Sequence, residues 1–475
     1  MIEAKEKSFP TILQAKNVTV DDGKLAWTLS TGPDSVDLDQ LVFILDLPPQ
    51  PNTASGYILC SLREDGENKE KPYELTLIKT TNLPPALVKQ YGVREIPSYL
   101  RHNASNAVNI IVSTKSGTGT SLQFWESVLE PLLKTAANEF NDITTGESYE
   151  TLITTSKDSV KDFAQQLKTS DSKRQTVVFL SGDGGVVDLL NAYPGKTADE
   201  SHITVASLPL GSGNALFHST HKPLYEPVGP SALVLGLRTL FAGVPADLPI
   251  FRATFSTGSR LVNFTDKDSS AGDIRRQDTA VSELLGAIVA SYGFHASILY
   301  ESDTPEYRAH GAKRFGMVAQ ELLRESHPYA ARVEVRRPAS DKFEPLPRET
   351  HAYVLSTLVS NLERTFTISP AGKPLDGKLR LVHFGAIGGE RTMDVMMKAY
   401  DGGKHIDVKW DDGEAVGYEE VDELRVTAKE SDERWRKVCI DGTIVELPEG
   451  GSVTVQPEKA LFKVVVDARI ASGKF

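Results

Sequence analysis

At 475 residues the chain exceeds what one hydrophobic core usually organises, so two or three domains are expected. A composition of 40% hydrophobic and 24% charged residues is that of an ordinary globular protein and excludes wholesale disorder. The net charge of -12 argues against general nucleic-acid binding, which draws its affinity from Lys and Arg on phosphates, and against adsorption of the whole molecule to an anionic membrane.

The first residues, with Glu3, Lys5, Glu6 and Lys7, lack the apolar core of a signal peptide. Residues 1–105 carry short β-rich runs such as 41–45 and 73–78 between Pro- and Gly-containing turns, and form a first, N-terminal domain without visible chemistry. From Val108 the pattern changes to strands alternating with helices. The runs 108–112, 149–154, 176–180 and 203–207 read as strands. Between them, Leu122, Trp125, Val128, Leu129 and Leu132 recur at helical spacing, Ser156 stands as N-cap of a helix with Val160, Phe163, Ala164 and Leu167 on one face, and a helix with Val186, Leu189 and Leu190 follows the third strand. Such alternation implies an α/β domain over 106–245, a mostly parallel sheet covered on both faces with ligands beyond its carboxyl ends. A further helix is expected from Ser231 to Phe241. The apolar stretch 232–251 is broken by Arg238, Pro245, Asp247 and Pro249, so it does not read as a membrane span. Residues 246–475 turn β-rich, at 250–255, 353–359, 379–384 and 461–466, with one helical interruption over 305–324. This half reads as an antiparallel sandwich or barrel. The acidic stretch 411–423 reads as a solvated loop, and the basic and apolar alternation around Arg332, Arg336, Arg337, Lys342 and Arg348 as a solvated face or a local membrane contact. Cys60 and Cys439 imply neither a disulfide framework nor a thiolate metal cage and fit a reducing compartment. The expected location is cytoplasmic, with transient membrane recruitment and no nucleic-acid partner.

Three loops carry chemistry because each lies where a strand of the α/β domain ends and a helix begins. In 113–119, Gly117 and Gly119 let backbone N–H groups approach an anion, Lys115 adds a charge, and Ser113 opens the loop. In 181–185, Gly182, Gly184 and Gly185 flank Asp183 after Ser181. That carboxylate can accept a proton from an attacking hydroxyl or hold a hydrated magnesium ion, the two tasks phosphoryl transfer needs near the nucleophile; an N-capping Asp in a tight turn is the plainer alternative. In 208–216, Gly211 and Gly213 bracket Ser212, and Asn214 can cap the next helix or bond a nucleotide. The ten histidines show no metal-ligand spacing, and 372–378 departs from a P-loop because Leu379 replaces the required hydroxyl residue.

The second and third loops, the former continued by Asp188 and Asn191, together with Tyr292-Gly293-Phe294, the run Tyr307-Arg308 to Gly311 and Arg314-Phe315, and Asp441-Gly442, resemble the diacylglycerol kinase and sphingosine kinase superfamily, most closely the sphingoid long-chain base kinases. The resemblance covers about 108–467. It implies an ATP-binding α/β domain and a C-terminal β-sandwich that admits a lipid, with the active site between them. Asp183 would be the general base. Ser113, Lys115, Gly117, Gly119, Ser181, Gly182, Gly184, Gly185, Asp188, Gly211, Ser212, Gly213, Asn214, Arg308, Arg314, Asp441 and Gly442 would hold ATP, the two arginines by clamping its phosphates. Magnesium would arrive with ATP, held through water from Asp183 or Asp441. Phe294 and Ser297 would meet the lipid, a sphingoid base being the expected acceptor, with a diacylglycerol or other neutral-lipid kinase and a catalytically weakened lipid-binding scaffold as alternatives. The sequence departs from the family at Ser297, where an Asp is proposed to hold the lipid's polar head, at Thr443 in place of Glu, at the shorter Asp188, and at Ser113-Thr114 in place of Asn-Pro.

Overall fold

The computed structural model describes residues 10–48, 56–140, 149–167, 173–195, 202–266, 274–308, 310 and 313–475. Strands Asn106–Val112 and Arg174–Ser181 are almost entirely buried on both faces, which their unbroken apolar runs require of a parallel sheet covered by helices. The sheet order is Glu150–Ile153, Asn106–Val112, Arg174–Ser181, Ile203–Pro209, Lys463–Val466 and Val244–Asp247. The first five are parallel and the last is antiparallel.

Strand Lys463–Val466 was expected in the C-terminal sandwich, yet it completes the α/β sheet. Three consecutive valines suit a sheet covered on both faces better than a strand alternating between core and solvent. The chain therefore leaves the α/β domain after Val244–Asp247 and returns to it near its end.

Among the described residues, the C-terminal half is one continuous antiparallel network of 14 strands, curled on itself, in keeping with the antiparallel sandwich or barrel expected there. Strand Tyr329–Arg336 makes the connection: its first residues pair with Thr350–Thr357 and the rest with Glu423–Ala428. The helical interruption over 305–324 resolves into Pro305–Arg308 and Lys313–Glu325. Two further helices, Phe294–Ser302 and Gly389–Tyr400, follow glycines at positive φ, Gly293 at 88° and Gly388 at 86°, conformations that let the chain leave a strand sharply.

The N-terminal strands form a five-stranded and a three-stranded sheet. The larger packs on the α/β domain: Phe43 meets Phe241 at 4.5 Å between ring centroids, Tyr73 meets Phe124 at 5.0 Å, and Arg238 donates to the Leu41 carbonyl at 2.6 Å. The helix expected from Ser231 to Phe241 is Ala232–Ala242, capped by Ser231, whose Oγ accepts from the Val234 N–H at 3.1 Å. Ser156 is not a cap. Helix Ser159–Gln166 starts later, and Ser159 Oγ folds the preceding turn by accepting from the N–H groups of Thr155 and Ser156.

The acidic and basic stretches neutralise each other. Arg336 pairs with Asp422 and Glu423, Arg337 with Glu419 and Glu344, and Arg348 with Glu414. Residues 411–423 are correspondingly no mere loop, since Gly417–Glu420 is a strand paired with Arg380–Gly385. Among the described residues, no helix is long and apolar enough to cross a membrane.

Candidate active site

The three strand-end loops pack against one another through glycines. A Cβ on Gly211 would overlap the Gly182 Cα, and one on Gly117, at φ 53°, would overlap the Leu210 carbonyl oxygen. These positions exclude side chains because backbone meets backbone, a reason that needs no ligand. Asn214, at φ 55°, occupies the N-cap position of helix Ala215–His221 without capping it. Its side chain instead braces the third loop, accepting from the Gly211 N–H and donating to the Gly211 carbonyl, each at 2.9 Å. Ser116 Oγ donates to Ser113 Oγ at 2.8 Å and so closes the first loop.

The capping role falls to Asp183 from the neighbouring loop. Its carboxylate accepts from the N–H groups of Ala215 at 2.6 Å and Leu216 at 3.1 Å, so it sits on the positive end of a helix 32 residues further along the chain. Asp183 does not cap its own helix, Gly184–Ala192. Burial raises its pKa to about 6, against the opposing pull of those backbone donors. A carboxylate of that basicity can take a proton near neutral pH.

Beside this junction lies a cavity of about 690 Å³ at the carboxyl ends of the strands. Ser113, Lys115, Ser181, Gly184, Gly185, Asp188 and Arg308 line it. So does the segment Thr154-Thr155-Ser156-Lys157-Asp158, which sequence reasoning passed over as a helix start. Its position after strand Glu150–Ile153, with three hydroxyls and a lysine, is the signal that could have found it. Thr154 joins it to the first loop by accepting from the Thr114 N–H and hydroxyl. Asp188 faces Lys161 at 3.6 Å, and burial raises its pKa. Arg308 reaches the cavity with its guanidinium held by Asp303 at 2.8 Å and the Phe264 carbonyl at 3.1 Å. Arg314 is not among the lining residues; its guanidinium lies over the Phe315 ring, and its buried Nε finds no acceptor. Asp183 itself, together with Gly117, Gly119, Gly182, Gly211, Ser212, Gly213, Asn214, Asp441 and Gly442, also stands outside the lining, and Gly311 falls outside the described residues. A larger cavity, about 930 Å³, lies remote from all three loops, between the N-terminal sheets and helix Ala232–Ala242.

The C-terminal domain presents a second carboxylate. Asp441, at φ 47° in the turn before Gly442, accepts from the N–H groups of Ala287, Ile288 and Val289 at 2.6–3.1 Å. Burial, with a small contribution from the charge of Asp183 and against the pull of the three backbone donors, lifts its pKa to about 7. Phe294 and Ser297 are buried, and the Tyr329 hydroxyl donates to Ser297 Oγ at 2.9 Å. Nearby, His295 Nδ1 and Ser291 Oγ lie 2.7 Å apart, and burial holds the imidazole neutral, its pKa pushed down to about 4.

Residues 107–239 match the diacylglycerol kinase catalytic domain family. The stretch contains Asp183 and all three glycine loops, whereas Arg308, Ser297 and Asp441 lie beyond it. Among solved structures, a diacylglycerol kinase from Bacillus anthracis str. Sterne aligns over 77% of this chain and 98% of its own, at 12% identity and a TM-score of 0.46. An NAD kinase from Archaeoglobus fulgidus in complex with ATP covers 77% and 96%, at 9% identity and a TM-score of 0.32. No curated protein sequence matches the chain.

For a diacylglycerol kinase-like segment the residues present fit a nucleotide: backbone N–H groups, hydroxyls and lysines around a cavity are the donor set polyphosphates require. Among the described residues no three His, Cys, Asp or Glu side chains cluster to hold a metal ion.

Proposed function

We propose that this protein is an ATP-dependent lipid kinase in which Asp183 acts as general base toward a lipid hydroxyl. The observation that carries the reading is the placement of Asp183: a carboxylate raised to about 6, fixed on two N–H groups where three glycine loops meet beside the cavity. The match of 107–239 supports the same reading. ATP would lie along Ser113, Lys115, Lys157, Ser181, Gly184 and Gly185, with Arg308 at the rim. Magnesium, when bound with ATP, would offset phosphate charge, Asp183 or Asp441 reaching it through water.

For the acceptor, the Ser297 and Tyr329 pair favours a neutral lipid of the diacylglycerol kind over a sphingoid base. Two hydroxyls satisfy each other there, and neither offers an ammonium the counter-charge of a carboxylate. A panel of diacylglycerols, other neutral lipids and sphingoid bases, incubated with labelled ATP and read by product mass, tests both levels. Phosphorylation of neutral lipids is expected, and Ser297→Asp should shift preference toward amine-bearing lipids. Preference for a sphingoid base by the unaltered protein would reverse the acceptor assignment. A lipid-binding scaffold is the rival, motivated by Thr443 and by the Lys161 pairing of Asp188. Absence of thermal stabilisation by Mg-ATP would favour it.

A further inference from the structure

Two side chains tie the α/β domain to the C-terminal domain in the same manner. Asn191, in the last turn of helix Gly184–Ala192, accepts from the Leu285 N–H at 2.9 Å and donates to the Leu285 carbonyl at 2.8 Å. Ser219, in helix Ala215–His221, accepts from the Asn361 N–H and donates to the Asn361 carbonyl, each at 3.0 Å. Each side chain thus satisfies both backbone groups of one residue across the domain boundary, as a neighbouring strand would.

Both helices converge on Asp183. One begins directly after it, and the other receives its carboxylate on the Ala215 and Leu216 N–H groups. The residues they grip are themselves fixed within the C-terminal domain. Leu285 leads into the strip whose next N–H groups, from Ala287 to Val289, rest on Asp441, and the Thr357 hydroxyl donates to the Ile288 carbonyl at 2.8 Å. The Asn361 side chain is bonded to the Glu363 carbonyl and the Thr367 hydroxyl. The two domains already share an apolar core, in which Val186 and Leu190 are buried in one cluster with Phe251 and Leu285, and the chain crosses between them at 247–250 and 458–463. The two polar grips, on separate helices, add fixed points of defined direction to that apolar contact.

We propose that Asn191 and Ser219 are positioning residues, a paired clamp that sets the C-terminal domain against the Asp183 loop and so fixes where an acceptor hydroxyl meets the nucleotide. The proposal rests on the lipid-kinase reading. A neutral hydrogen bond contributes little net stability, so the clamp supplies geometry rather than strength. A misplacement of about 1 Å between reacting groups costs on the order of 100-fold in rate.

The test uses the full chain carrying Asn191→Leu, Ser219→Ala or both, read by amide hydrogen exchange, by thermal stabilisation with Mg-ATP and by phosphate transfer to lipid. In the double variant, the amides of residues 285–289 and 361 should exchange at least about tenfold faster. Stabilisation by Mg-ATP and the KM for ATP should stay unchanged while kcat falls about 100-fold. Unchanged exchange at Leu285 and Asn361 would overturn the proposal, as would loss of Mg-ATP stabilisation in step with transfer, which marks general unfolding. A wild-type protein that transfers phosphate to no lipid refutes the kinase reading instead, and the exchange measurement still decides whether the clamp holds the domains together.

Discussion

The loops around Asp183 and the interior of the C-terminal domain are built on opposite plans. The loops are backbone laid on backbone, and they leave beside them a cavity of about 690 Å³. Within the C-terminal domain, the space between Ser291, Tyr292, Val354, Val438 and Ile440 amounts to about 10 Å³. Close-packed interiors of this kind do not accept a ligand without movement. On the proposed lipid-kinase reading, the nucleotide side would be formed in advance, whereas an acyl chain entering between these strands would have to displace side chains or lodge elsewhere on the domain.

The strongest way to break this comparison is Asp183→Asn. If the preformed side supplies the base, phosphate transfer to lipid falls by roughly 10²- to 10⁴-fold, while thermal stabilisation by Mg-ATP survives. Turnover equal to that of the unaltered protein would remove Asp183 from the chemistry and leave it as a helix cap.

Next in size is Gly211→Ala. The added methyl overlaps the Gly182 Cα, and because both partners are backbone, relief requires one loop to move. Overpacking of this kind costs about 1–3 kcal/mol, visible in chemical denaturation, with weakened stabilisation by Mg-ATP. Gly184→Ala is the control. A Cβ there meets nothing within 4 Å, so its effect on stability should be slight. Equal losses in the two variants would show that the loops do not depend on close approach.

This contrast also separates what was legible in the sequence from what was not. The alternation of strands and helices and the glycine spacing are local signals, so the α/β domain, its loops and Asp183 could be read from residues alone. Of the two roles open to Asn214, the structure removes the cap, because Asp183 takes it from another loop and the Asn214 side chain braces its own loop. Strand Lys463–Val466 was misplaced because no local pattern says that a strand returns to a sheet left more than 200 residues earlier. The contacts of Ser297 with Tyr329, of Asn191 with Leu285 and of Asp441 with 287–289 likewise join residues distant in the chain. They are properties of the assembled fold.

The two acids supply a third, smaller effect with a sign of its own. Asp183 and Asp441 are held at about 6 and about 7, above the ordinary Asp value near 3.9. The folded state therefore binds their protons more tightly than the unfolded chain, and their contribution to stability falls as pH rises from about 4 through about 7. Transfer moves the other way, since Asp183 must lose its proton to act. The rate kcat/KM should climb across about pH 6–7, while the stability difference between the unaltered protein and Asp183→Asn declines from about pH 4 to about pH 6. A rate independent of pH from 5 to 8 would contradict the assignment.

The smallest effect is expected at the basic stretch, where sequence alone left a membrane contact open. Arg337 is bonded to Glu419 at 2.6 Å and to Glu344 at 2.5 Å, and Arg336 and Arg348 are likewise occupied by acids. The Arg337 and Glu419 side chains are 39% and 25% exposed, so water screens the pair and each single substitution should change stability by about 0.2–1 kcal/mol. Because these guanidiniums already have counter-charges, raising the anionic lipid content of vesicles should not raise binding, and Arg337→Ala should leave sedimentation with vesicles unchanged. Glu419→Gln would free Arg337 of one partner and is the variant in which a dependence on anionic lipid should first emerge. If the unaltered protein already binds anionic vesicles and Arg337→Ala abolishes that binding, the neutralisation seen between 332–348 and 411–423 is opened at a membrane surface, and the C-terminal domain has a charged docking face in addition to its closed interior.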